Sequence, residues 1–152
     1  MLTDKEKKIL QTKIKGVSST NKKITILLNE KLKNDLKNKE KIKITLKDKL
    51  KKCNNKEFFY VYNISSDMWY LAGDKSTDYN FYTKRLILSG ILFKLYIKIL
   101  TLKDYEEEDL YKDIDLEILK VGKFNKIKAE FLSLFENTSI FNKKKGTKTR
   151  GF

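Results

Sequence analysis

Short runs of alternating apolar and polar residues dominate the hydrophobic pattern of the N-terminal half of this chain. Two such runs occur at residues 24–28 and 42–46, each with three aliphatic side chains separated by one residue. Residues 58–64 are dense in aromatic and β-branched side chains, which also favours a strand. Because successive side chains of a strand point to opposite faces, each run predicts a strand with one buried face.

The C-terminal half repeats this alternation and then changes its period. Between residues 91 and 99 every second residue is apolar, while Lys94 and Lys98 fall on the other face, and residues 114–118 alternate in the same way. After Gly122 the apolar residues fall at helical spacing, which predicts a helix over residues 123–136. Its apolar stripe consists of Phe124, Ile127, Phe131, Leu134 and Phe135.

These elements predict an α+β fold made of two small domains, each an antiparallel sheet with a helix on one face. The turn-forming residues at 73–80 place the boundary between an N-terminal domain, residues 1–79, and a C-terminal domain, residues 80–141. The first domain is the reduced one. It begins with a short helix or arm, because Thr3 and Glu6 have capping-box spacing and Gly16 follows as a stop. A basic tail, residues 142–152, ends the chain.

The net charge of the chain indicates what kind of partner it binds. The 152 residues include 34 Lys and Arg against 20 Asp and Glu, a net charge of +14, with enough hydrophobic residues (40%) for a folded core. A folded protein with this excess favours a polyanion, and charge spread along the whole chain favours nucleic acid over a membrane surface or an acidic protein. The absence of His and Pro points to AT-rich coding, which also enriches lysine. Codon usage does not explain why the acidic residues fail to balance the charge.

The candidate RNA-binding residues lie in three places. The basic tail concentrates cations around glycines, which allow the backbone to approach RNA closely. Lys94 and Lys98 occupy the polar face of the predicted strand. Two further lysines lie at the start of the predicted helix, where the helix dipole disfavours cations unless an anion is nearby. The set is Lys143, Lys144, Lys145, Gly146, Lys148, Arg150, Lys94, Lys98, Lys123 and Lys126.

Several classes of protein are disfavoured by what the sequence lacks. Without histidine there is no imidazole base and no His-ligated metal, and no glycine-rich phosphate loop is present. The only cysteine is Cys53, so no disulfide forms within the chain. We therefore expect no enzymatic activity, no cofactor, no metal and no small-molecule substrate. A membrane span over residues 86–102 is rejected, because Lys94 and Lys98 would cost about 5–7 kcal/mol at mid-bilayer.

Residues 84–152 resemble the second domain of the large-subunit ribosomal protein six family. The family's opening Lys-Lys-Leu-x-Leu-x-Gly segment is matched by the run from Lys84 to Lys94, with Leu92 in place of a second glycine. Gly122, the predicted helix and a tail containing Lys145, Gly146, Thr149 and Arg150 follow at the family's spacing.

The resemblance implies a divergent, organelle-encoded mitochondrial member of this family, or otherwise a protein of the bacterial cytoplasm. Its function would be that of a structural constituent of the large ribosomal subunit, supporting translation. Its partners would be ribosomal RNA and neighbouring ribosomal proteins, with the RNA bound through charge and shape. The alternative is a phage or plasmid DNA-binding regulatory protein, although no helix-turn-helix is recognisable. A third possibility is an interaction module for an acidic protein.

Overall fold

The computed structural model describes residues 1–50 and 56–123, and the described part is helical throughout apart from its connections. Five of its helices are α1 (Asp4–Lys13), α2 (Thr20–Lys37), α3 (Lys39–Leu50), α4 (Lys56–Leu71) and α5 (Tyr79–Thr101). Residues 107–123 are also helical and are called α6 here.

The predicted α+β fold is wrong, because every run assigned to a strand within the described residues lies in a helix. The longest error is in α5, where residues 91–99 alternate over a window too short to separate a period of 2 from one of 3.6. The buried side chains of α5 instead follow the helical period, and Phe93 and Ile97 of the supposed buried face are exposed. The buried set is Arg85, Leu88, Ser89, Ile91, Leu92, Leu95, Tyr96 and Ile99.

The same explanation applies to the other runs. In α2 the buried positions are i, i+3, i+4, i+7, i+8 and i+11, which is the core-facing stripe of an amphipathic helix. They are Ile24, Leu27, Leu28, Lys31, Leu32 and Asp35. In α3, Ile42 is buried while Ile44 is exposed, and in α6, Ile114 is buried while Leu116 is exposed. Alternating residues of these helices therefore face opposite environments, which a half-buried strand does not allow.

The short N-terminal helix is confirmed, with the predicted capping box. The Thr3 hydroxyl accepts from the backbone N–H of Glu6, and the Glu6 carboxylate accepts from the backbone N–H of Thr3 at 2.8 Å. Gly16 follows the helix with φ +82°, the left-handed conformation that ends helices and favours glycine. Local capping chemistry thus fixes α1, and Leu10 of this helix and its C-cap residue Ile14 are buried in the core.

The chain divides into two compact units, Met1–Glu117 and Ile118–Phe152. In the first unit, α4 and α5 make the most extensive contact among the helices α1 to α5. The division into domains 1–79 and 80–141 with a tail stays a prediction. The predicted helix over residues 123–136, with Phe131 and Leu134, lies outside the described residues except at its first position. None of the helices in residues 1–50 and 56–123 is long and apolar enough to cross a membrane.

A buried polar network joins α1, α2 and α5. The Lys31 ammonium donates to Asp35 Oδ1 at 2.7 Å and to Glu6 Oε1 at 2.8 Å, and the Tyr96 hydroxyl donates to Asp35 Oδ2 at 2.6 Å. The side chains of Lys31 and Asp35 are only 5% and 2% exposed. The network pairs charges that would otherwise be costly to bury, and it links the three helices to one another.

Candidate functional site

The connection between α4 and α5 is a tightly bonded turn that carries an aspartate. The backbone N–H of Gly73 donates to the Tyr70 carbonyl and that of Asp74 donates to the Trp69 carbonyl, both at 3.0 Å. Gly73 has φ +84°, so these bonds form a Schellman motif, which needs a left-handed residue at this position. The motif fixes the backbone of Asp74 immediately after α4.

The Asp74 carboxylate collects donors from three residues. Its Oδ1 accepts from Lys84 Nζ at 2.8 Å, and its Oδ2 accepts from the Ser76 hydroxyl at 2.7 Å and from Arg85 Nη1 at 3.1 Å. The side chain is 3% exposed. Burial alone would raise its pKa, but the hydrogen bonds from Lys84, Ser76 and Arg85 outweigh burial and lower the pKa of Asp74 to about 2. Asp74 is therefore an anchor that is ionised at neutral pH.

Arg85 is the buried cation of this cluster. Besides Asp74, its guanidinium donates to the Phe81 carbonyl at 2.9 Å and to the Ser66 hydroxyl at 3.3 Å, and it lies 3.4 Å from the centroid of the Phe81 ring. The side chain is only 4% exposed. The planar guanidinium suits this arrangement, since it stacks on an aromatic ring while donating in several directions.

Trp69 completes the attachment of α5 to α4. Its indole N–H donates to the Lys84 carbonyl at 3.1 Å, and the Lys84 ammonium lies 5.3 Å from the centroid of the Trp69 ring. At the start of α5, Asp78 is the N-cap and accepts from the backbone N–H of Asn80 at 3.0 Å. The first two turns of α5 are thus held by side-chain bonds as well as by packing. We call Trp69, Asp74, Lys84 and Arg85 the aspartate cluster.

An exposed apolar stripe extends along α5 from this cluster. Its residues are Tyr82, Leu86, Phe93 and Ile97, which are 59%, 49%, 53% and 47% exposed. Their spacings of four, seven and four residues keep them on one side of the helix, over about 22 Å at the usual rise per residue. Gly90 lies between Leu86 and Phe93, and an added Cβ there would meet nothing within 4 Å. The stripe is therefore a continuous apolar surface with a notch in its middle.

The lysines beside the stripe are neutralised by α6. Lys94 pairs with Glu117, and Lys98 Nζ lies 2.6 Å from Asp113 Oδ1. The Tyr105 hydroxyl donates to Asp113 Oδ2 at 2.6 Å, so that the bonds from Lys98 and Tyr105 outweigh burial and lower the pKa of Asp113. Lys94 and Lys98 do not lie on the wet face of a strand, as predicted. They are helical residues that join α5 to α6.

The remaining predicted site residues are not brought together by the described structure. Lys123 is exposed in α6 and is the last described residue. Lys126 and the tail residues Lys143, Lys144, Lys145, Gly146, Lys148 and Arg150 lie outside the described residues. Sequence reasoning missed the aspartate cluster, because Asp74 was interpreted only as a turn former. The signal available was an aspartate between Trp69 and the pair Lys84–Arg85, but the contact depends on how α4 and α5 pack.

The aspartate cluster is suited to positioning and not to proton transfer. A general base needs a pKa near the working pH, whereas Asp74 is ionised far below it and its oxygens are occupied by donors. Within the described residues no group of three or more Cys, Asp or Glu side chains is arranged to hold a metal ion. What the site offers chemically is an apolar surface of aromatic and aliphatic side chains on a helix whose start is rigidly held.

Comparison with known proteins finds a match over this region. The family model described as COQ9 matches residues 56–125, which covers α4, α5 and the described part of α6. The chain is 38% identical over 56 residues to the ubiquinone biosynthesis protein COQ9, mitochondrial, of Rattus norvegicus, covering 37% of this chain and 18% of that protein. It is 55% identical over 29 residues to the Bos taurus protein of the same name, covering 19% and 9%. The chain thus spans less than a fifth of the length of these relatives. No solved structure matches.

These matches overturn the resemblance to large-subunit ribosomal protein six. The segment from Lys84 to Lys94 that carried it lies inside the COQ9 match and forms a helix, not the opening strand of a ribosomal domain. Spacings of Lys, Leu and Gly recur by chance in a lysine-rich chain, whereas the COQ9 match extends over 70 residues, from 56 to 125. A ribosomal role, ribosomal RNA as partner and the DNA-binding alternative are therefore unsupported. Both relatives are named as mitochondrial, which agrees with the expected organelle but not with a ribosome.

Proposed function

We propose that this chain is a mitochondrial, non-catalytic protein of the COQ9 family that serves ubiquinone biosynthesis. The observation that carries the proposal is the family match over residues 56–125, which contains both the aspartate cluster and the exposed stripe. Both matched relatives are ubiquinone biosynthesis proteins by name. The non-catalytic part is supported by the saturated hydrogen bonding of Asp74, which leaves this buried carboxylate no free oxygen for a reaction.

The stripe on α5 is the surface through which the chain would act, by binding another protein of the pathway. Exposed apolar side chains that line up along a helix are unusual on a monomer and mark interaction surfaces. Tyr82 and Phe93 supply the large aromatic contacts that are enriched at protein interfaces. The aspartate cluster would hold the first turns of α5 in one position, so that little order has to be gained on binding.

The charges around the stripe favour a protein partner over a polyanion. Lys94 and Lys98 are matched by Glu117 and Asp113, so these two lysines beside the stripe do not present unbalanced positive charge. A nucleic-acid interface depends on cations that release counterions from phosphates. A neutralised rim around an apolar centre is instead the usual composition of a protein interface.

The function is tested by replacing the protein in its own cells. Depletion should lower mitochondrial ubiquinone, measured by mass spectrometry, and the intact chain should restore it. Leu86→Glu places a charge in the stripe without touching the core, so it should fold normally and fail to restore ubiquinone. Ile44→Glu is the matched control, because Ile44 is exposed on α3, outside the matched region, and this variant should restore ubiquinone fully.

Normal ubiquinone after depletion, combined with defective mitochondrial protein synthesis, would contradict the proposal. Full rescue by Leu86→Glu would leave the pathway assignment intact and refute the role of the stripe. Conversion of a ubiquinone precursor by the purified chain would refute the non-catalytic role.

A further inference from the structure

An open groove lies on a second surface of the first unit. It is formed by α1, the turn after α1, α2 and the end of α4. Its volume is about 590 Å³. Three of its lining residues are lysines and none is acidic: Lys8, Gln11, Thr12, Ile14, Lys15, Gly16, Val17, Lys23 and Leu71. Apart from Leu71, these residues lie outside the region that matches COQ9.

Among the residues that the structure describes, no carboxylate pairs with the lysines of this groove. Of their three ammonium groups, only that of Lys23 has a hydrogen bond within this part of the chain, a long one of 3.4 Å from Nζ to the Ala72 carbonyl oxygen. This contrasts with Lys31, Lys84, Lys94 and Lys98, all of which pair with carboxylates. The groove is therefore lined by three lysines, and at least two of the ammonium protons of Lys23 are available to a ligand.

Helix capping does not account for these lysines. The carbonyls at the end of α1 already accept from the backbone, since the N–H of Lys15 donates to Thr12 and that of Val17 donates to Ile14. Lys23 lies in the first turn of α2, where no acidic residue is present and the helix dipole disfavours a cation. A bound anion would offset the cost at Lys23 and balance Lys8 and Lys15.

We propose that this groove binds a phosphate group, with Lys8, Lys15 and Lys23 as its cationic ligands. An ammonium is a compact point charge whose three donors suit a tetrahedral oxyanion approached from several sides. Ile14, Val17 and Leu71 give the groove an apolar wall, which suits a phosphate carried on an organic group. This site goes beyond the proposed function and does not depend on it.

The test is a titration of the intact chain with inorganic phosphate at constant ionic strength. Binding is measured by 31P NMR and by the shift in the midpoint temperature of thermal unfolding. Binding should saturate, and Lys8→Gln/Lys15→Gln should weaken it by about tenfold or more, the loss expected for two charge-assisted contacts. Lys5→Gln/Lys41→Gln removes the same charge from exposed positions outside the groove and should change affinity less than about twofold. Lys8→Arg/Lys15→Arg, which keeps the charge, should retain binding.

The source of the phosphate is distinguished by vesicles of phosphatidylcholine with and without phosphatidic acid. If the protein sediments with the acidic vesicles, if this requires Lys8 and Lys15, and if inorganic phosphate inhibits it, the ligand is a lipid headgroup. Saturable phosphate binding without sedimentation identifies a soluble phosphate compound. The proposal is overturned if phosphate does not bind saturably, or if the groove and control variants lose affinity equally. Neither outcome bears on ubiquinone synthesis, so this site and the proposed function fail independently.

Discussion

Asp35 and Asp74 are both buried carboxylates with cationic partners, yet their surroundings have opposite effects on them. Asp74 lies in a local cluster whose donors, Lys84 and Arg85, follow within 11 residues, and they lower its pKa to about 2. Asp35 lies between helices that are distant in sequence, with Tyr96 donating from 61 residues away. Burial outweighs its hydrogen bonds and raises the pKa of Asp35.

The difference comes from burial together with the balance of charge. In the aspartate cluster, two cations surround one carboxylate, so ionisation is favoured. In the α1–α2–α5 network, Asp35 is deeply buried and shares the single cation Lys31 with Glu6, so burial outweighs its bonds, whereas the more exposed Glu6 also accepts from Thr3 and has its pKa lowered to about 2. Although burial opposes the charged ammonium, Asp35 and Glu6 outweigh it and raise the pKa of Lys31, while burial and Asp35 raise that of Tyr96. One cluster fixes a local turn, and the other links helices at an electrostatic cost.

The largest expected effect follows from removing the shared cation. Lys31→Met should destabilise the chain by about 3–5 kcal/mol, because it leaves the buried Asp35 without a countercharge. The measurement is the free energy of unfolding by urea. Lys31→Met/Asp35→Leu removes both charges and should recover much of the loss, since a buried ion pair is often replaceable by apolar residues. Equal destabilisation by the single and double variants would mean that packing, and not charge, is what Lys31 contributes.

The corresponding change in the local cluster should cost less. Asp74→Asn keeps the shape of the side chain but removes its charge, so the buried Arg85 keeps only neutral acceptors such as the Phe81 carbonyl and the Ser66 hydroxyl. We expect a loss of about 1.5–3 kcal/mol in the free energy of unfolding, the usual worth of a hydrogen bond to a charged group. Asp74→Asn should also restore less ubiquinone than its loss of stability alone explains, because the start of α5 is no longer held. If it restores as much ubiquinone as a core variant of the same stability, Asp74 does not position α5.

Acid should separate the contribution of Asp74 from the rest. Its folded-state pKa of about 2 lies below the ordinary aspartate pKa of about 4, so its stabilisation is present above about pH 4 and is lost as the pH falls towards 2. At about 1.4 kcal/mol per pKa unit, the intact chain should lose about 2 kcal/mol of its advantage over Asp74→Asn across this window. Glu6, whose pKa is also lowered to about 2, titrates in both proteins and cancels in the comparison. A pH-independent difference would show that Asp74 is not selectively stabilised in its ionised form.

Local chemistry was predictable from the sequence, whereas the period of the core was misjudged. Thr3, Glu6 and Gly16 define α1 through bonds among near neighbours, so the prediction held. Residues 91, 95 and 99 are apolar in both a strand and a helix pattern, and only the additional burial of Leu88, Leu92 and Tyr96 requires a helix. Those residues were visible in the sequence, but short alternating windows in a chain rich in Lys and Ile concealed the longer period.

The candidate site was less accessible to sequence reasoning, because its parts acquire meaning only through packing. Lys94 and Lys98 look like an exposed basic face until α6 brings Glu117 and Asp113 beside them. Asp74 looks like a turn residue until α4 and α5 close around it. Net charge indicated a polyanion, but it did not distinguish paired lysines from unpaired ones.

The smallest expected effect concerns Gly90, the notch in the exposed stripe. Gly90 is exposed in the interior of α5, and a Cβ there would meet nothing within 4 Å. Gly90→Ala should therefore stabilise the free chain by about 0.5–1 kcal/mol, because alanine loses less backbone entropy in a helix. Gly90→Trp fits the same open space in the free chain but fills the notch. If a partner helix or loop approaches the stripe closely, this variant should fold normally and lose ubiquinone rescue, while Gly90→Ala retains it. Full rescue by Gly90→Trp would mean that the partner does not contact the middle of α5, and would restrict the binding surface to one end of the stripe.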